Sequence, residues 1–221
     1  MKITEKSFWE TYWGDIVLPK RVDFNFKNDR VIAETILENI PVAKKGQIAL
    51  EIGCAPGKWM VLLYEKLHYN IDGFEYLDVA AEKTRKNFVQ CDIPKENFNV
   101  VTADFLTAKP KPIYDLVTSF GFIEHFENYE EIYQKHLAYT KNGGYIVIGF
   151  PNFRGINYYI QLLIDKISGT EIIKNHNISM MDLDLMKSII KNSNKKIIYA
   201  NYIGGFESAL FDTNKIKNKI L

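Results

Sequence analysis

Short apolar runs alternate along the chain with longer stretches in which apolar positions recur every three or four residues. Residues 47–53 (QIALEIG) read as a buried strand and 59–67 as the helix after it. Residues 71–77 (IDGFEYL) form a second predicted strand, followed by a helix over about 79–90, and 98–103 (FNVVTA) and 114–120 (YDLVTSF) are further strands. A helix over about 129–140 leads through Asn142-Gly143-Gly144 to the strand 145–150 (YIVIGF). Apolar strands interleaved with helices predict βαβ units and a mainly parallel sheet. The pattern then changes. A helix over about 182–192 precedes residues 196–203, the pair Gly204-Gly205 and residues 206–211. Two β-prone runs joined by Gly-Gly predict an antiparallel hairpin closing the sheet.

Charge and composition narrow the function classes. With 28 Lys+Arg against 27 Asp+Glu in 221 residues, the formal charge is +1. That balance provides no global attraction for nucleic acid or an anionic membrane. Neither a repeat nor a Pro/Ser-rich linker interrupts the chain, so one domain over 1–221 is expected. Its parts are an N-terminal helical and aromatic segment (1–45), an insert over 151–180 and a loose Lys/Asn-rich tail (213–221). Two cysteines, Cys54 and Cys91, make no disulfide framework and suggest a reducing compartment. Without a secretory-type apolar run at the start or a stretch of membrane-spanning length, the expectation is a soluble cytoplasmic protein.

The densest chemical signal is Leu50-Glu51-Ile52-Gly53-Cys54-Ala55-Pro56-Gly57-Lys58, which leaves a predicted strand and enters a predicted helix. Open α/β sheets bind ligands at such a place. Gly53 and Gly57 let the backbone turn sharply and approach a ligand closely. Glu75, at the end of the next strand, can accept hydrogen bonds from two ribose hydroxyls. The dinucleotide fingerprint is G-x-G-x-x-G; here the order is Glu-x-Gly-x-x-x-Gly, which argues against a nicotinamide-dependent oxidoreductase.

That order resembles the first motif of class I S-adenosylmethionine-dependent methyltransferases. Gly73-Phe74-Glu75-Tyr76 looks like the family's ribose-binding strand end, and Thr102-Ala103-Asp104-Phe105 like its adenine-contacting turn. The run from Tyr114-Asp115-Leu116-Val117 to Ile123-Glu124-His125-Phe126 looks like the fourth-strand motif with its Glu-His pair. Lys141-Asn142-Gly143-Gly144-Tyr145 looks like the turn before strand five. The resemblance covers roughly 46–212. It implies a Rossmann-like α/β fold, a seven-stranded mostly parallel sheet with the terminal hairpin, and helices on both faces. It implies S-adenosylmethionine as cofactor and S-adenosylhomocysteine as product. By the same resemblance, Glu51, Gly53 and Gly57, with Cys54 and Ala55 between them, hold the methionine end. Glu75 takes the ribose, Asp104 and Phe105 the adenine, and Phe120 and Gly121 touch the cofactor past strand four. Cys54 reads as a small packing residue rather than a reactive thiol. Tyr76 either packs on the adenine or belongs to the core.

The implied activity is methyl transfer to oxygen or nitrogen of a small-molecule acceptor, a sugar or an aromatic metabolite among them. His125, after strand four, is a candidate base or a group that orients the loop; His176, in the insert, is a second candidate base. His68 and His136 read as a helix-end residue and a surface or packing residue. No two of the four histidines form a helical i, i+4 pair, so no metal site is expected. Residues 151–180 make either a packing helix or a lid over the acceptor, and the N-terminal Phe8, Trp9, Tyr12 and Trp13 either close over the cofactor or anchor the terminus. The alternatives are an RNA ribose methyltransferase, suggested by Cys54-Ala55-Pro56-Gly57, a lipid cyclopropane-type synthase, suggested by Ile123-Glu124-His125-Phe126, and a non-catalytic nucleotide-binding module. Nothing in the chain indicates an oligomeric state. Aromatic residues, 14% of the chain, are dense in 1–45 and 151–180, the segments left to shape an acceptor pocket.

Overall fold

The sheet is built outward from Ile48–Ile52 (β1), whose IALEI sequence has four of five residues buried. A strand so apolar is stable only with neighbours on both edges and cover on both faces. The structure, a computed structural model, describes Ile3, Trp9, Trp13 and residues 16–205. β1 pairs in parallel with Asn70–Glu75 (β2) on one side and Tyr114–Phe120 (β4) on the other. Phe98–Thr102 (β3) and Thr140–Gly149 (β5) complete the order β3-β2-β1-β4-β5, with parallel pairing throughout.

Alternate side chains feed two cores, as strand geometry requires. Ala49 and Leu116 join the core beneath Lys27–Asn39 (α1), Lys58–Leu67 (α2) and Asp78–Gln90 (α3). Leu50 and Val117 join the other, under Tyr129–Tyr139 (α4) and Leu183–Asn192 (α6). The start of α6 is fixed by Asp182, whose carboxylate accepts from the backbone N–H groups of Asp184 and Leu185. Ile156–Ser168 (α5) differs: only Gln161 is buried, while Ile156, Tyr159 and Leu163 are exposed.

Three expectations are corrected. The sheet has five strands among the described residues, not seven. Residues 196–203 form no strand, because Ile198, Tyr199, Tyr202 and Ile203 lie on the surface rather than on a pairing edge. Tyr202 instead accepts from the N–H of Leu183, and Gly204 passes against the Asn28 side chain at the start of α1. The partner run 206–211 and the tail 213–221 lie outside the described residues. Strand five also begins earlier than expected, at Thr140, with a register shift between Tyr114↔Thr140 and Leu116↔Tyr145 that absorbs Lys141–Gly144 as an irregularity inside it.

The strand order reverses between β1 and β4, so their connections leave toward opposite faces of the sheet. The crevice at their carboxyl ends is where such sheets bind ligands.

Candidate active site

Glu51, near the end of β1, is buried, and its Oε2 has no hydrogen-bond partner among the described residues. Burial pushes its carboxyl well up, while Lys58 and the backbone N–H of Met60 pull the other way. After Ile52 the chain turns through Gly53 (φ 68°) to Gly57 (φ 89°), which caps α2 in the left-handed conformation. Both angles disfavour any residue with a Cβ. Both glycines are also packed against protein. A Cβ on Gly53 would lie 2.8 Å from the Phe122 ring, and one on Gly57 would lie 2.5 Å from Phe88.

Asn87 holds this turn in place, and nothing in its helical context had marked it. Fully buried on α3, its amide donates to the carbonyls of Pro56 and Lys20, both at 2.9 Å, and its Oδ1 accepts from Lys20 N–H at 2.6 Å. Glu75 closes β2, buried, with Oε1 accepting from Leu77 N–H at 3.1 Å. Desolvation raises its carboxyl and backbone donors oppose this. Tyr76 beside it is half-buried, as is Ala55 in the turn. Cys54 is fully buried with its thiol pushed well up by desolvation, and a Cβ on Gly73 would lie 2.5 Å from its sulfur. Its part in the site is packing.

Asp104 is half-buried and turns the chain after β3 by accepting from Leu106 N–H at 2.9 Å. Phe105 follows Asp104 in that turn. It is buried in the second core against Tyr139, His136 and Phe122, with ring centroids 5.4, 5.5 and 5.8 Å away. Phe120 leans on Trp59 at 4.9 Å, and Gly121 is exposed with φ 66°. His136 is a packing residue, fully buried between the carbonyl of Ile132 and the hydroxyl of Ser119.

Beyond β4 the chain makes a short 3-10 turn, Ile123–His125, that buries all three residues. Both oxygens of Glu124 lack a hydrogen-bond partner among the described residues, and burial pushes this carboxyl up to about 8. A Cβ on Gly121 would lie 3.7 Å from Glu124 Oε1, which sets the carboxylate beside the end of β4. His125 donates from Nδ1 to the carbonyl of Asn175 at 2.7 Å, with Nε2 3.9 Å from Glu124 Oε1. His176 comes from the insert, half-buried, and donates from Nδ1 to the carbonyl of Ile172 at 2.6 Å. The two rings meet at 4.5 Å. Desolvation lowers both imidazoles, His125 to about 3.

The insert is fastened to the turn by Asn177, whose N–H donates to Glu124 O at 2.7 Å and whose side-chain amide donates to Phe126 O at 3.0 Å. Two described N-terminal residues reach the same place: Trp9 meets His125 edge-on at 4.9 Å, and Ile3 N–H donates to the His125 carbonyl. The two candidate bases therefore stand together, with a buried carboxylate that the Glu-His motif contained but that had not been singled out. Sequence spacing hides this cluster because the fold of the insert closes it.

A cleft of about 660 Å³ opens elsewhere, beside β3, between Arg85, Val89, Lys95 and Phe98. It faces outward from α3, far from the reversal in strand order, and gathers no buried ionisable group. The buried carboxyls Glu51, Glu75 and Glu124 lie instead at the carboxyl ends of β1, β2 and β4.

Residues 24–198 match the family described as a methyltransferase domain. The chain belongs to this family. It is thereby an S-adenosylmethionine-dependent methyltransferase of the class its motifs resemble. No curated protein matches it in sequence. Among solved structures, it is similar to an S-adenosyl-L-methionine-dependent methyltransferase assigned as such in Methanococcus maripaludis, at 17% identity and TM-score 0.53, over 80% of this chain and 87% of that one. It is similar to phosphoethanolamine N-methyltransferase 2 of Haemonchus contortus, solved with phosphomonomethylethanolamine and S-adenosylhomocysteine. That match has 14% identity and TM-score 0.59, over 84% of this chain and 40% of that one. A third is geranyl diphosphate C-methyltransferase of Streptomyces coelicolor, solved with Mg2+, at 14% identity and TM-score 0.53 over 71% of each chain. At such identities the likeness extends to the fold. No helix among the described residues is long and apolar enough to cross a membrane.

The methyltransferase's residues fit the family's cofactor on two observations. Glu51 offers a buried, unsatisfied acceptor beside a glycine turn, and Glu75 presents a second, oriented carboxylate at the next strand end.

Proposed function

We propose that this methyltransferase acts on a small-molecule acceptor whose hydroxyl or amine is held at the Glu124–His125–His176 cluster. The supporting observation is the meeting of those three buried or half-buried groups at the carboxyl end of β4, where the glycine turn and Phe122 also converge. Glu51 Oε2 would receive the ammonium of the cofactor's methionine end, Glu75 the ribose hydroxyls and Asp104 the adenine. When bound, S-adenosylmethionine supplies a methyl group on a positively charged sulfur.

The chain's own work is placement. Burial of Glu124 and His125, with Trp9 and Phe153 edge-on to the histidines, keeps water from the acceptor. Holding reactants in line in such a site is worth up to about 7–11 kcal/mol. His125 and His176 each carry their proton on Nδ1, because the carbonyl facing it can only accept, which leaves Nε2 as the basic atom of each ring. An imidazole lowered to about 3 is a weak base on its own. The three groups are therefore assigned jointly to activating the acceptor.

A near-neutral chain and an insert of 30 residues favour a compact metabolite over nucleic acid. Calorimetry with S-adenosylhomocysteine, S-adenosylmethionine and NAD, followed by a labelled-methyl screen of metabolite fractions, tests the reading. Micromolar binding of the sulfur ligands and label in a small molecule are expected. NAD binding without either sulfur ligand, or label only in RNA or lipid, overturns it.

A further inference from the structure

The cluster past β4 has the composition and wiring of a cation site. One carboxylate and two ring nitrogens, from Glu124, His125 and His176, lie within 4.8 Å of one another. Both imidazoles are oriented by a bond from Nδ1 to a backbone carbonyl, to Asn175 at 2.7 Å and to Ile172 at 2.6 Å. Metal-ligating histidines are held in this way, because the outer bond fixes the tautomer and aims the Nε2 lone pair. Glu124 completes the cluster. It is fully buried, neither oxygen has a hydrogen-bond partner among the described residues, and no lysine or arginine among them pairs with it. Ionised, a carboxyl in that position is costly unless a positive charge meets it, and a cation that displaces its proton supplies that charge.

We infer that Glu124, His125 and His176 bind one divalent cation of the zinc class, whose open position receives the acceptor's hydroxyl oxygen. Two imidazoles and one carboxylate suit zinc and its first-row neighbours, whereas magnesium and calcium prefer all-oxygen shells. Three protein ligands leave a fourth position, as in catalytic rather than structural sites. Bond lengths of about 2.0–2.1 Å set tetrahedral ligand atoms about 3.3–3.4 Å apart. The cluster therefore closes slightly on binding, with half-buried His176 as the group best placed to move. The second half of the inference, the acceptor oxygen on the cation, rests on the methyltransferase reading; the cation site does not. A hydroxyl bound there gives its proton to solvent water near neutral pH, since a bound cation lowers the pKa of coordinated oxygen. The oxygen's electron pair then forms the bond to the cofactor's methyl carbon as the methyl–sulfur bond breaks, and S-adenosylhomocysteine leaves with that pair.

The test uses the full chain without an affinity tag, stripped with chelator and titrated with Co2+ while visible absorption is followed, then competed with Zn2+. Expected are ligand-field bands saturating at one cation per chain, loss of those bands to zinc, and a zinc-dependent rise in melting temperature. Glu124→Gln and His176→Gln should each weaken binding about tenfold or more. S-adenosylhomocysteine calorimetry on the same samples reports separately on the cofactor side. If a protein that binds S-adenosylhomocysteine takes up no Co2+ at millimolar concentration, the cation site is wrong and the methyltransferase reading stands. Uptake unchanged in both variants also overturns the site. Stoichiometric uptake lost in either folded variant, without S-adenosylhomocysteine binding, upholds the site and removes the cofactor reading. Should both variants fail to fold, absence of the zinc-dependent stabilisation in wild-type protein overturns the site.

Discussion

His125 and His176 are separated in sequence by all of α4, β5 and α5, yet their rings meet at 4.5 Å. The contact exists because the insert returns to the 3-10 turn after β4, where Asn175 and Asn177 bond the backbone or ring of Glu124, His125 and Phe126. A scaffold end and an insert thus share one site, so changes on the cofactor side can be separated from changes on the acceptor side.

The cofactor side is tested at the two strand ends. Glu51→Gln keeps the size of the side chain and removes the charge that would meet an ammonium. Glu75→Ala removes the acceptor at the end of β2. Each should weaken S-adenosylhomocysteine binding at least about tenfold, or about 1.4 kcal/mol, in calorimetry. Unchanged affinity in Glu75→Ala would show that the ribose contact lies elsewhere.

Asn87 makes three short hydrogen bonds from a fully buried position, tying Pro56 and Lys20 together. Asn87→Ala leaves these backbone groups unsatisfied, at about 1–3 kcal/mol for each buried one. Urea unfolding should show a loss of at least about 2 kcal/mol. Cofactor affinity should fall with it, because Pro56 lies inside the glycine turn. A stable variant with normal affinity would show that the turn holds itself.

Much of this architecture was legible from periodicity, for an identifiable reason. β1 and β4 are buried on both faces, so their apolar residues stand side by side (Ile48-Ala49-Leu50, Leu116-Val117) instead of alternating with exposed ones, and β4 has the predicted bounds. The chain after α6 failed the same reading. Residues 196–203 are as β-prone as β3, but strand identity depends on a neighbouring edge, and these side chains are exposed. Helix α1 has the opposite history. Its 13 residues bury only Asp29, Ala33 and Ile36, too sparse a stripe to stand out in a segment read only as helical and aromatic. At the candidate site, Glu51 and Glu75 stand out in the sequence by their place at strand ends and His125 by its motif. What remained hidden was Asn87, an ordinary polar residue on a helix, and the assembly of Glu124 with both histidines.

His136 gives the stability a pH dependence independent of the site. It is fully buried, and desolvation lowers its imidazole from 6.5 to about 4. The unfolded chain therefore binds this proton at higher pH than the folded one. Its contribution is fully present above pH 6.5 and is lost as pH falls through about 4. The shift corresponds to roughly 3 kcal/mol over that window. Thermal melts of wild-type protein should fall across this range, and His136→Gln, which has no proton to gain, should flatten the fall. Parallel curves would show that other groups control the acid limb.

The Phe122 ring covers Gly53 so closely that a Cβ there would lie 2.8 Å from it. A glycine with φ 68° at the end of β1 is the place for a ligand to approach the backbone, and here a protein ring stands on it. Phe122 is only half-buried and packs on Phe126 at 5.0 Å and Phe105 at 5.8 Å. It sits next to Ile123, where the Glu124–His125 turn begins. A ligand that reaches Gly53 on that side must move the ring, and Phe122 directly precedes the turn that carries Glu124 and His125. Phe122→Ala should therefore raise the association rate of S-adenosylhomocysteine in stopped-flow mixing. It should also cost about 3 kcal/mol or less of stability, below a full core Phe→Ala because the ring is partly exposed. If the association rate is unchanged while the variant stays folded, the ligand enters without displacing Phe122, and cofactor and acceptor sides are not coupled through this residue.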